Sequence, residues 1–91
     1  MAKVAQHTEE IFEPKSVKLR NVNYVVISNS SRNELKFRYN GVVRYIRASN
    51  DGTPRFFVIR NFGNIFDVEL DFLGDNLNIL LEYFVLEEQI L

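Results

Sequence analysis

The chain has 91 residues, 46% of them hydrophobic and 25% charged, with eight Phe, four Tyr and no Cys. That length accommodates one hydrophobic core, and that composition belongs to a folded chain rather than a disordered one. Without cysteine there is no disulfide or thiolate metal site, and the lone His7 excludes a multi-histidine zinc cluster, so no metal or cofactor is expected.

No apolar run approaches the roughly 20 residues of a membrane-spanning helix, and residues 1–14 mix polar and acidic side chains, unlike a signal peptide. A cytoplasmic protein that does not enter a membrane is the expectation. The net charge of −1 conceals an uneven distribution. Residues 15–60 carry ten bases against two acids (Glu34, Asp51), whereas from residue 61 onward there are seven acids and no base. The chain is therefore basic in the middle and acidic at both ends, a pattern suited to binding or to complementary association.

In chain order, residues 1–14 read as a loose arm or a short helix ending at Pro14, and residues 15–91 as one domain. From Val17 the period becomes two. Val17 and Leu19 alternate with Lys18 and Arg20, and Tyr24-Val25-Val26-Ile27 is β-branched and aromatic, which predicts a strand bent near Asn21 to Asn23. Ser28 to Asn33 is a polar loop. Leu35, Phe37 and Tyr39 then alternate with Lys36 and Arg38 before Asn40-Gly41, the preferred pair for a type I′ hairpin turn. That turn pairs Tyr39 with Val42, Phe37 with Arg44 and Leu35 with Ile46.

Asp51-Gly52 offers a second two-residue turn, which predicts Ile46 opposite Phe57 and Arg44 opposite Ile59. On this register one face carries Leu35, Phe37, Tyr39, Val42, Ile46, Ala48, Phe57 and Ile59, interrupted by Arg44 and Arg55. The opposite face carries Lys36, Arg38, Val43, Tyr45, Arg47, Phe56, Val58 and Arg60. Beyond a turn at residues 61–64, Phe66, Val68, Leu70 and Phe72 alternate with Asp67, Glu69 and Asp71 in a fifth strand. Gly74-Asp75-Asn76 then breaks the pattern. Leucine and glutamate after it favour a helix over 77–91, although Ile79, Tyr83, Phe84 and Val85 suit a strand as well. The expected fold is thus α+β: a twisted antiparallel sheet of about five strands, a meander over 16–72, with a C-terminal helix. Apolar side chains surround almost the whole of that helix, so Tyr83, Phe84, Leu86 and Ile90 are expected to self-associate, a homodimer first of all.

Catalysis by a nucleophile has no support: there is no Cys, His7 lies in the arm, and Ser28, Ser30 and Ser31 share one loop. No enzyme is expected. The carboxylates of Asp67, Glu69 and Asp71 share one strand face without the glycine and carbonyl partners of a cation cage, which makes a solvated or ion-paired row. The sharpest feature is the basic-aromatic face of Lys36, Arg38, Tyr45, Arg47, Phe56 and Arg60. Its chemistry fits an acidic protein surface, giving a small regulator or binding module that docks on another protein. It also fits single-stranded nucleic acid, where cations meet phosphates and aromatic rings stack on bases. A small structural component of a larger assembly is the third expectation.

Overall fold

The two-residue alternation extends through the chain further than its composition suggests. The computed structural model describes residues 2–61 and 64–88, and these form seven strands and no helix: β1 (Ala2–Ile11), β2 (Lys15–Asn29), β3 (Leu35–Tyr39), β4 (Val42–Ile46), β5 (Arg55–Arg60), β6 (Phe66–Leu73) and β7 (Ile79–Glu88). The protein is all-β, which corrects the expected α+β class and its C-terminal helix. All pairings are antiparallel, in the order β1-β7-β2-β6-β3-β4, with β5 also on β2. Among the described residues no helix is long and apolar enough to cross a membrane.

Strand β2 organises the sheet because it is long enough to serve three partners. Its first half pairs with β6, from Lys15 opposite Phe72 to Leu19 opposite Val68. Its second half pairs with β5 (Tyr24 to Arg60, Asn29 to Arg55) on one edge and with β7 (Val25 to Tyr83, Asn29 to Ile79) on the other. The bend expected near Asn21 to Asn23 consists of two register shifts, in each of which β2 holds one residue more than its partner. Asn21 takes a left-handed φ of 56° there, and its N–H donates to Asp67 Oδ1 at 3.1 Å. Each extra residue shifts the side-chain phase by one. The inward row therefore runs Val17, Leu19, Val22, Val25, Ile27, and the last four of these are buried. The bent sheet wraps one core, in which Phe37 of β3 meets Phe57 of β5 edge to face at 5.2 Å.

The first hairpin forms in the expected register, Tyr39 opposite Val42 through Leu35 opposite Ile46. Asn40 and Gly41 take φ values of 48° and 82°, as a type I′ turn requires. The turn is docked as well as closed: Asn40 N–H donates to Glu69 O at 2.9 Å, and Asn40 Oδ1 accepts from Glu69 N–H at 2.8 Å. A Cβ on Gly41 would meet nothing within 4 Å, so Gly41→Ala tests conformation alone. It is expected to cost about 1 kcal/mol in a denaturant titration; a neutral result would mean that the turn relaxes to another type.

The second hairpin does not form, and the five-strand meander over 16–72 is corrected accordingly. Gly52 has a φ of 82° but Asp51 does not share the left-handed region, so a type I′ turn is absent. Asp51 Oδ1 instead accepts the Thr53 N–H at 3.0 Å, an Asx turn, within a loop between β4 and β5. Strand β5 lies on β2, with Ile59 opposite Val25 and Phe57 opposite Ile27. The expected register would have set Arg44 against Ile59 in the core. The observed one sets two fully buried aliphatic residues opposite Ile59 and Phe57, and hydrophobic burial decides between them.

Residues 79–88 form a strand for a related reason. Strand β7 is paired on both edges, with β1 and β2, so it needs no polar edge and reads as an apolar run. Ile79 and Leu81 are buried, and Tyr83 and Val85 pack against the core from the same face. Residues 2–11, expected as an arm or short helix, are β1, held from Ala2 opposite Glu88 to Ile11 opposite Ile79. From Val4 to Ile11, Ile11 alone is buried, so the strand depends on its partner rather than on its own pattern.

Candidate functional site

The predicted basic-aromatic constellation falls on two strands that approach each other without a ladder. Lys36 and Tyr45 are a cross-strand pair on the outer face of the β3–β4 hairpin, beside the pair Arg38 and Val43. Phe56 and Arg60 lie on β5 and are paired with Ser28 and Tyr24 of β2. Arg47 follows β4 in the loop. Because Phe37 and Phe57 both point into the core, Lys36, Arg38 and Tyr45 share the outer side of the sheet with Phe56 and Arg60, with a seam between the two groups.

The seam itself is the feature that sequence reasoning missed. Among the described residues strand β4 pairs only with β3 and β5 only with β2, so each turns one edge toward the other. Among the described residues, no backbone hydrogen bond outside the strand ladders involves β4 or β5. Between them lies a cleft of about 330 Å³ lined by Tyr39, Arg44, Phe57, Val58, Ile59 and Arg60. Four of the five residues of β4 are exposed, on both faces of the strand. Large apolar side chains are left in solvent around the seam: Phe56 is 62% exposed, Tyr45 57%, Val42 50%, Val58 45% and Val43 39%. A residue lone on a surface is ordinary, whereas a group of this size on neighbouring strands marks an interaction surface.

Among the described residues the cations around the seam form no salt bridge, although Arg38 stands opposite Asp71 in the β3–β6 ladder. Among the described residues, the ion pairs are Lys15 with Glu9, Lys18 with Glu69 at 3.6 Å and Arg55 with Asp51 at 3.9 Å, and none involves Lys36, Arg38, Arg44, Arg47 or Arg60. The acids of β6 are engaged elsewhere. Asp71 Oδ1 accepts from Ser16 Oγ at 2.6 Å, Glu69 meets Lys18, and Asp67 accepts the Asn21 N–H. No group of three His, Asp or Glu is placed to hold a metal among the described residues. The Thr53 N–H foremost, with Arg55 nearby, holds the exposed Asp51 carboxyl below its ordinary range. What that turn contributes is present at neutral pH and fades as the pH falls through the lowered value.

The loop that opens the seam is anchored by Asn29, which is fully buried at the end of β2. Its Nδ2 donates to Arg47 O at 3.0 Å and Asn33 O at 3.1 Å, and its Oδ1 accepts the Ser31 N–H at 3.1 Å. Ser49 N–H donates to Ser31 O at 2.8 Å, so the segment after β4 is drawn to the end of β2 instead of folding back on β4.

Of the residues expected to self-associate, Tyr83, Phe84 and Leu86 are half-buried. Tyr83 stacks on His7 at 5.3 Å and Phe84 meets Tyr24 at 5.9 Å, so β1 and β2 supply the cover that a helix would have lacked. Ile90 lies outside the described residues. No family model, curated protein or solved structure matches this chain.

Proposed function

We propose that this protein is a non-enzymatic module that docks on another protein through the outer surface flanking the β4–β5 seam. The observation that carries this reading is the exposure of Tyr45, Phe56, Val58 and Val43 beside cations that form no salt bridge among the described residues. Protein interfaces centre on aromatic anchors with arginine among them. The same cations and rings would serve single-stranded nucleic acid, but three exposed valines offer nothing to a phosphate or a base.

The test compares capture by immobilised wild-type chain and by the Tyr45→Ser/Phe56→Ser double variant from the same cell extract, with oligonucleotide anisotropy run in parallel. A partner retained by the wild type and lost by the variant is expected, with both proteins giving the same circular dichroism because the two side chains are exposed. Oligonucleotides are expected to bind only weakly at physiological salt. Tight binding with a steep salt dependence would replace the reading with nucleic-acid recognition, each phosphate contact adding roughly 0.7 to the slope for a single strand. A large assembly of the chain alone would replace it with a structural role.

A further inference from the structure

We infer that the β4–β5 seam is a strand-addition site for an extended, acidic segment of the partner protein. The inference rests on the docking reading above and specifies its mode. A strand directs the N–H and C=O of every second residue to each edge, so the free edges of β4 and β5 present unpaired donors and acceptors in rows. Main-chain pairing along such an edge gives affinity, while alternate side chains enter pockets and give selectivity. Here the pocket is the cleft between the strands, with Tyr39, Phe57 and Ile59 on its apolar side and Arg44 and Arg60 at its polar positions.

Charge identifies the occupant. A second copy adding its own β4 antiparallel and in the centred register would set Arg44 against Arg44. Like charges directly opposite are destabilising, and charged edges are how sheet proteins refuse self-pairing. Arg44 and Arg60 attract a strand that alternates apolar and acidic residues. Such a segment places its carboxylates on the outer face, where Arg60 lies, and its aliphatic groups on the inner face over Phe57 and Ile59.

Insertion of a strand requires β4 and β5 to separate where they are nearest. Paired strands lie about 4.8 Å apart, so a segment joined to both edges holds β4 and β5 roughly 9.6 Å apart. Their Cα atoms come within 8 Å at the closest points. The β3–β4 hairpin is tied to the remaining sheet through β6, and it has to move outward by at least about 1.6 Å where the strands are nearest.

The test titrates the isotopically labelled full chain with blocked octapeptides and follows the β4 and β5 amide resonances. The first peptide alternates glutamate and valine, the second alternates lysine and valine, and two more carry the glutamate sequence N-methylated at one or the other set of alternate residues. The glutamate peptide is expected to shift and protect the β5 amides, the lysine peptide to do neither, and at least one N-methylated peptide to lose binding. Arg44→Glu/Arg60→Glu is expected to weaken the glutamate peptide at least ~10-fold, and both positions are exposed, so the fold tolerates the change. No response of the β5 amides at about 1 mM peptide, or equal binding of all four peptides, overturns strand addition. If Tyr45→Ser/Phe56→Ser still abolishes capture in that event, the docking reading survives and its mode is wrong. If capture too is unaffected, the docking reading itself fails. A dimeric mass without peptide, with β5 amides already protected, would put a second copy in the seam and overturn the acidic partner.

Discussion

Phe37→Ala is expected to cost about 3–5 kcal/mol, since Phe37 is with Phe72 one of the two largest fully buried side chains among the described residues. Phe37 is fully buried on β3, and its ring meets Phe57 of β5 at 5.2 Å and Phe72 of β6 at 6.2 Å. It is thus the residue through which the β3–β4 hairpin, the first half of β2 with β6, and the second half of β2 with β5 share one core. Truncation removes the contacts on three sides, and a sheet closed over that core cannot collapse fully into the space. A domain of this size has a total stability on the order of 5–14 kcal/mol, so about a fifth of it or more is at stake. Chemical denaturation should show a lower midpoint at unchanged slope, the sign of lost stability within a two-state transition. Phe37→Leu should recover more than half of the loss because it refills most of the volume. A cost below about 1 kcal/mol would mean that the hairpin and β5 do not share a core in solution, and the cleft between them would lose its inner wall.

The strands were legible wherever local pattern and tertiary environment agree. Leu35, Phe37 and Tyr39 alternate with charges and precede Asn40-Gly41, and the register that follows is the one observed. Phe66, Val68, Leu70 and Phe72 alternate in the same way, and three of the four are buried while Phe66 packs partly against them. The bend in β2 was also readable, from three polar positions within a β-branched run. Failure begins where a strand is either fully enclosed or almost uncovered. Strand β7 is enclosed by β1 and β2, so both of its faces carry apolar residues and the period of two is hidden. Strand β1 is the opposite case, an edge that buries Ile11 alone between Val4 and Ile11, and its sequence holds no alternation from which a strand could be inferred. Its partner supplies the hydrogen bonds, and the paired residues are 68 (Ile11 and Ile79) to 86 (Ala2 and Glu88) apart in the chain.

For the candidate site, the chemistry was readable and the arrangement was not. Exposed Lys36, Arg38, Tyr45, Phe56 and Arg60 follow from alternation alone, since any register leaves them on the outer face. Two adjacent hairpins would have made that face continuous and hydrogen-bonded throughout. The choice of β2 over β4 as the partner of β5 divides it and creates two free edges, and that choice depends on the burial of Phe57 and Ile59 opposite Ile27 and Val25. Gly52 supports a left-handed residue in either case, so the turn motif did not discriminate. Arg44 did carry a signal, because an arginine on the otherwise apolar face of a central strand has no core to enter. Its presence there is consistent only with an edge, and β4 is that edge.

Asn29→Ala is expected to cost about 2–4 kcal/mol, because it strands two carbonyls and one N–H at the point where the seam is held open. The side chain satisfies Arg47 O, Asn33 O and Ser31 N–H at once, in a fully buried position. Asn29→Asp separates the donors from the acceptor. The shape and the bond from Ser31 are kept, but a carboxylate at Oδ2 would face two carbonyl oxygens with no proton between them. Burial and those carbonyls both disfavour the ionised form, so the introduced carboxyl titrates above its unfolded value near 4. A raised value in the folded state means that stability is retained below about pH 4 and is lost as the pH rises through the folded value. Thermal unfolding of Asn29→Asp should therefore approach the wild type more closely in acid than at neutrality, whereas Asn29→Ala should keep a constant deficit. Equal deficits at both pH values would show that the two carbonyls are satisfied by water and that the loop after β4 is free of β2. The edge of β4 would then be exposed by flexibility rather than by design of the chain, and amide exchange in residues 47–54 would be fast in the wild type as well.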